Sequence, residues 1–152
     1  MNQVLLAQRM LEADYGVAAD VWSATSYKEL YRNATDTERW NMLHPDQEPR
    51  VPYVSECLGG ASAVVAASDY TKTLPLSLAR WLPESFLALG TDGFGRSEGR
   101  ESLRDFFEVD ARYVVLGALA TLARIGQIDS AVPAKAVRDL GIDPEKVNPA
   151  IS

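Results

Sequence analysis

The chain has 152 residues, enough for one domain with a real core and too few for two of ordinary size. Its 47% hydrophobic and 24% charged residues exclude a disordered chain, and the net charge of −6, with basic residues scattered along the sequence, argues against a nucleic-acid partner. The lone Cys57 excludes an internal disulfide, the amino end has no secretory pattern, and no apolar run nears the roughly 20 residues of a membrane span, so a reduced, cytoplasmic protein is expected.

Val4, Leu5, Met10 and Leu11 fall near helical spacing and Gly16 offers a left-handed stop, which predicts a helix over about residues 2–15. The run "VAADVWSAT", Val17 to Thr25, is short, apolar and rich in strand formers, and is expected to be the first strand, buried on both faces. Ser26 and Glu29 form a capping box in which each side chain satisfies a free amide, so a helix starts there. Within Asn33 to Val54 a short helix is expected around Glu38 to Leu43, because Pro45, Pro49 and Pro52 forbid regular helix beyond it, and the rest of that stretch reads as a long loop.

"SAVVAASD" (62–69) and "FLALG" (86–90) are the second and third strands. Between them "TLPLSLARWL" places Leu74, Leu78 and Trp81 on one helical face. "RESLRDFFEV" and "DARYVVLGALATLARIG" read as two helices, the second buried, and "SAVPAKAVRDLG" as a last one with Pro133 in its first turn and Gly141 past its end. Strands alternating with helices predict an α/β domain, a mainly parallel sheet with helices on both faces.

In such sheets ligands bind beyond the carboxyl ends of the strands. Those ends carry Ser23 to Ser26, Ser68 to Tyr70 and Thr91 to Gly95, and Ser68, Asp69, Thr91 and Asp92 are the candidate ligand edge. The same residue types satisfy free amides wherever a strand gives way to a helix, so capping and turn chemistry is the simpler expectation. "GTDGFGRS" matches neither the dinucleotide fingerprint nor the nucleoside triphosphate loop, and Asp92 would repel a phosphate there. Arg96 then reads as a solvated surface arginine.

His44 is the sole histidine and no metal-ligand spacing is present, so no metal site is expected. Cys57 and His44 are the single possible cysteine–histidine pair, without an orienting third group, and an inert buried thiol is expected. "LATLARIGQIDSAVPAKAVRDLG" has the outline of a helix-turn-helix, but its acidic surroundings favour a packing role.

"AADVWSATSY", "ERWNMLHP" and "GTDGFGRS" are long and unusual. Through them nearly the whole chain resembles the carboxyl-terminal, transketolase-type domain of the homodimeric bacterial pyruvate dehydrogenases. The resemblance implies a single domain, residues 1–152, cut from a longer enzyme chain that decarboxylates pyruvate and passes the acetyl group to lipoamide. It further implies that thiamine diphosphate, magnesium and the catalytic residues belong to preceding domains and the homodimer mate, with the acyltransferase component as the parent's partner. No catalytic, cofactor-binding or metal residue is then expected in this chain. The family also has a strand and a glycine–serine turn before the first helix, so the sheet is expected to lack its own first strand. In a two-one-three order that strand would lie between "VAADVWSA" and "SAVVAASD".

The glycine loop is expected to be structural, with Gly93 and Gly95 permitting a tight turn and Thr91 and Asp92 tying its amides. A noncatalytic assembly domain is the leading expectation, and a freestanding small-ligand-binding domain using the strand edge is the alternative.

Overall fold

The computed structural model describes all 152 residues. The first helix, α1 (Asn2–Tyr15), ends on Gly16 in the left-handed conformation, as its spacing predicts. It buries Ala7 and Leu11 against α6 (Ala111–Arg124), and Gln3 Oε1 accepts a 2.9 Å hydrogen bond from the Ala111 amide at the start of α6. Asp110 caps that same helix, accepting from the amides of Arg112 and Tyr113. Val115 and Leu119 of α6 are fully buried, and Ala136 of α7 (Ala131–Asp139) closes the cluster. Burying side chains of this size stabilises the fold by roughly 1.5–3 kcal/mol each, so α6 is the axis of the core. The two helices of the helix-turn-helix outline, α6 and α7, pack on one another in this core.

The sheet has two strands, β1 (Val64–Ala67) and β2 (Phe86–Leu89), parallel and in register from Val64 opposite Phe86 to Ala67 opposite Leu89. Val65, Ala67 and Leu89 pack toward α6, as the two-residue alternation of a strand requires. The crossover between them is a single helical turn, α4 (Thr73–Leu76), and a 3₁₀ turn at Ala79–Trp81. Pro75 and Leu78 are its buried residues, whereas Leu74, expected on the packed face, is exposed. The segment winds as two separate short turns and not as one regular helix, so Leu74 and Leu78 do not share a helical face.

The expected first strand is absent. Residues 17–25 form no ladder, and no amide from Ala18 to Thr25 donates to another backbone carbonyl. The segment still alternates, with Val17, Ala19 and Val21 half-buried and Ala18, Asp20 and Trp22 exposed, so it is not buried on both faces. Val17 and Ala19 pack on the same cluster as Val65 and Ala67. A strand is defined by a partner's hydrogen bonds as well as by its own pattern, and here the partner is missing.

Two helices also differ from expectation. Residues 27–43 form one continuous helix, α2 (Tyr27–Leu43), in place of two, because nothing between Asn33 and Asp36 breaks it. Ser26 caps it through the Glu29 amide at 3.2 Å, but the reciprocal half of the box is unmade, since the Glu29 carboxylate turns to Arg32 at 3.0 Å. At the end of the expected loop begins α3 (Tyr53–Leu58), which opens on Pro52, a residue suited to a helix entry. The loop before it is pinned by Asn41, whose side chain exchanges hydrogen bonds with the Arg50 amide and carbonyl at 2.8 and 2.9 Å. No helix is long and apolar enough to cross a membrane. The chain is a mixed α/β domain with a small parallel sheet.

Candidate functional site at the carboxyl edge of the sheet

The ends of β1 and β2 meet, as strands of one parallel sheet must. The Thr91 amide donates to the Tyr70 carbonyl at 3.0 Å and the Thr91 hydroxyl to the Asp69 carbonyl at 2.9 Å. Ser68 Oγ accepts from the Tyr70 amide at 3.0 Å. Asp92 Oδ1 accepts from the Lys72 amide at 3.0 Å, while its other oxygen lies 3.9 Å from Lys72 Nζ. The Thr91 and Asp92 side chains therefore stitch the loop after β1 to the loop after β2, whereas the Ser68 bond stays within its own loop and Asp69 offers its carbonyl. The third group of polar residues, Ser23 to Ser26, serves α2 through Ser26 instead.

Gly93 and Gly95 separate. Gly93 has φ +106°, and a Cβ there would fall on the Pro149 carbonyl oxygen and 3.3 Å from Ala150 Cα, so the loop closes against the carboxyl-terminal segment. Gly95 has no positive φ and nothing within 4 Å, so of the two glycines expected to permit the turn only Gly93 is in a conformation that favours glycine. The glycine that composition alone did not single out is Gly90, where a Cβ would stand 2.6 Å from the Tyr70 carbonyl oxygen and 2.9 Å from the Lys72 amide nitrogen. Strand ends joined this closely leave no room for a side chain.

Beyond this stitched edge opens a crevice of about 400 Å³, lined by Asp69, Thr91, Gly93 and Gly95 on one side and by residues of α5 (Arg100–Phe106) and its flanks on the other. Arg96, Arg100 and Arg104 reach it together with Glu98, over an apolar floor of Leu103, Phe107 and Val109. The basic residues are thus not scattered here. The signal was present in the sequence as three arginines four residues apart, a spacing that keeps Arg100 and Arg104 on one helical face. Asp92 does not line the crevice.

A second cavity of about 440 Å³, lined by Gln3, Glu101, Ser102, Asp105, Asp110 and Arg112, shares Arg104 with the crevice. Arg112 meets Asp110 at 2.6 and 3.0 Å and also Asp105. Hydrogen bonding to Asp110 raises the guanidinium's already high pKa. His44 is occupied elsewhere, stacked on Trp40 with centroids 4.3 Å apart and its Nδ1 2.8 Å from the Trp40 carbonyl oxygen. Cys57 lies half-buried on α3.

Residues 1–110 match the family described as the transketolase-like TK C-terminal domain. The chain belongs to that family. It is 49% identical over 151 residues to the pyruvate dehydrogenase E1 component of Pseudomonas aeruginosa, covering 98% of this chain and 17% of the relative. The protein of the same name from Escherichia coli K12 is 48% identical over 153 residues, covering 100% and 17%, and that of Haemophilus influenzae 45% over 150 residues, covering 98% and 17%. The chain thus corresponds to the transketolase-like carboxyl-terminal region of these bacterial enzymes and spans about a sixth of their length.

If Asp92 acts as a tie, Asp92→Ala lowers stability by about 0.5–2 kcal/mol, the usual cost of a lost cap, and exposes the Lys72 amide to hydrogen exchange. Urea melts and exchange rates check both. Unchanged stability would remove Asp92 from the structural role.

Proposed function

We propose that the chain is a noncatalytic assembly domain of a pyruvate dehydrogenase E1-type enzyme, a parent that decarboxylates pyruvate and transfers the acetyl group to lipoamide of an acyltransferase component. The supporting observation is surface. The chain exposes 9674 Å², whereas a compact monomer of its 16.6 kDa exposes about 7,600 Å². The excess, roughly 2,000 Å², is the size of a stable protein interface. Large apolar side chains stand uncovered in it, among them Trp22, Tyr31, Met42, Leu43, Val51 and Tyr53. Their natural cover is the preceding domains of the parent and its homodimer mate.

On this proposal residues 17–22 and β1 flank a place for one further parallel strand, supplied by the parent, which would complete a sheet covered by helices on both faces. Magnesium bound with a diphosphate needs one or two protein carboxylates, and the chain gathers no group of three acidic, histidine or cysteine side chains that would hold a metal by themselves; the resemblance to the E1 enzymes is what supports a cofactor site outside this chain. The cofactor is assigned to the parent's preceding domains.

Two measurements test the proposal together. Deleting this domain from the full enzyme should weaken the dimer by analytical ultracentrifugation and lower acetyl transfer with it, and calorimetry of the domain with thiamine diphosphate and magnesium should show no saturable micromolar binding. An unaltered dimer after deletion would overturn the assembly role, and tight magnesium-dependent binding would overturn the placement of the cofactor.

A further inference from the structure

We propose that the crevice beyond β2 binds a small phosphomonoester, its phosphate held by Arg96, Arg100 and Arg104 and its body resting on Leu103 and Phe107. Three guanidinium groups line the crevice beside two carboxylates, Asp69 and Glu98, while Glu101 and Asp105 line the adjoining cavity that shares Arg104. None of the three arginines is committed to a close partner. Arg104, its side chain 25% exposed, reaches Asp69 only at 3.5 Å, and that carboxylate is itself 70% exposed. A guanidinium has five donors, so most of those on Arg104 remain available. Arg96 lies over the Phe106 ring at 4.1 Å, a cation–π contact that parks the group at the rim without using its donors on oxygen. Arg100 is exposed and has no ion-pair partner.

The sequence objection to an anion here was Asp92, and the structure removes it, because the Lys72 amide holds that carboxylate away from the crevice. Phosphate suits the site better than carboxylate. A phosphomonoester presents three terminal oxygens and close to two charges, which three planar donors can engage from different sides, whereas a carboxylate presents two oxygens and one charge. The open edge at Gly95, with nothing within 4 Å, leaves the mouth clear, and the apolar floor favours an ester with an apolar body over the free ion.

The test is calorimetric titration of the full chain at low salt with phenyl phosphate, inorganic phosphate and succinate, with and without magnesium. Phenyl phosphate should bind saturably, more tightly than the other two, independently of magnesium and more weakly as salt rises. Arg100→Gln removes a group with no ion pair to lose, so its melting temperature should match that of the unsubstituted chain while affinity falls about tenfold. Glu98→Gln should tighten binding by removing the repelling charge. Absence of saturable binding, equal or tighter binding of inorganic phosphate or succinate, or an Arg100→Gln chain that binds as before would each overturn the proposal.

Discussion

Replacing Gly93 by valine is expected to lower the stability of the domain by about 2–5 kcal/mol, from an unfavourable backbone conformation and from overpacking together. At φ +106° a β-branched residue is strained whatever the space around it, and here there is none, since the side chain would meet the Pro149 carbonyl. The neighbour is backbone, so relief requires moving the carboxyl-terminal segment that carries Pro149 and Ala150. Gly95→Val is the matched control. It sits in an open part of the same loop, and a surface substitution of that kind stays within about 0.5 kcal/mol. Urea denaturation of the two variants separates them. Equal stabilities would mean that the loop does not close on the carboxyl-terminal segment at all.

The contrast between those glycines shows where sequence reasoning reaches its limit. Gly93 and Gly95 look alike in "TDGFG", and only the path of a segment more than 50 residues away distinguishes them. Local signals served where the deciding interaction was local. The Gly16 stop and the Ser26 cap depend on a few neighbouring residues, and both were legible. The buried helix α6 was legible because length and alanine content outweigh its strand-like start. The break expected before Glu38 failed for a tertiary reason: weak helix formers such as Asn33, Thr35 and Thr37 are tolerated where Ala34 and Thr37 are buried by the packing of α2.

At the site, the meeting of Ser68, Asp69, Thr91 and Asp92 followed from parallel topology. What each side chain bonds did not, because that depends on how the Lys72 and Tyr70 amides are presented. The arginine crevice was hidden for a similar reason. Arg96, Arg100 and Arg104 are regularly spaced, but a helical stripe of charge is usually a solvated face. Only the apolar floor beneath them and the turned-away Asp92 mark a concave site.

The segment Val17–Thr25 carries the pattern of a strand without its hydrogen bonds, and this gap underlies the second large expected effect. The Val64 and Ser68 amides donate to Ser85 and Leu89 of the β2 side. In a parallel ladder successive peptides point to opposite edges, so Val65 and Ala67 present theirs to the open side of β1. Such an edge recruits another strand, because unpaired backbone groups beside apolar side chains are costly to leave half-solvated. Adding about a dozen residues with a strand and a glycine turn before Asn2 should therefore stabilise the domain, by about 2–4 kcal/mol for a few new ladder bonds and the apolar surface they cover. At this size that raises the melting temperature by roughly 5–15 °C. The unextended chain should self-associate through the same edge as its concentration rises. Ala67→Pro supplies the control: its lost amide is not one that β2 uses, so the two-stranded fold should survive while the added strand and the self-association lose their partner. Gel filtration and thermal melts of the three chains make the comparison. A short chain that stays monomeric at high concentration and melts no lower than the extended one would show that the open edge of β1 needs no further strand.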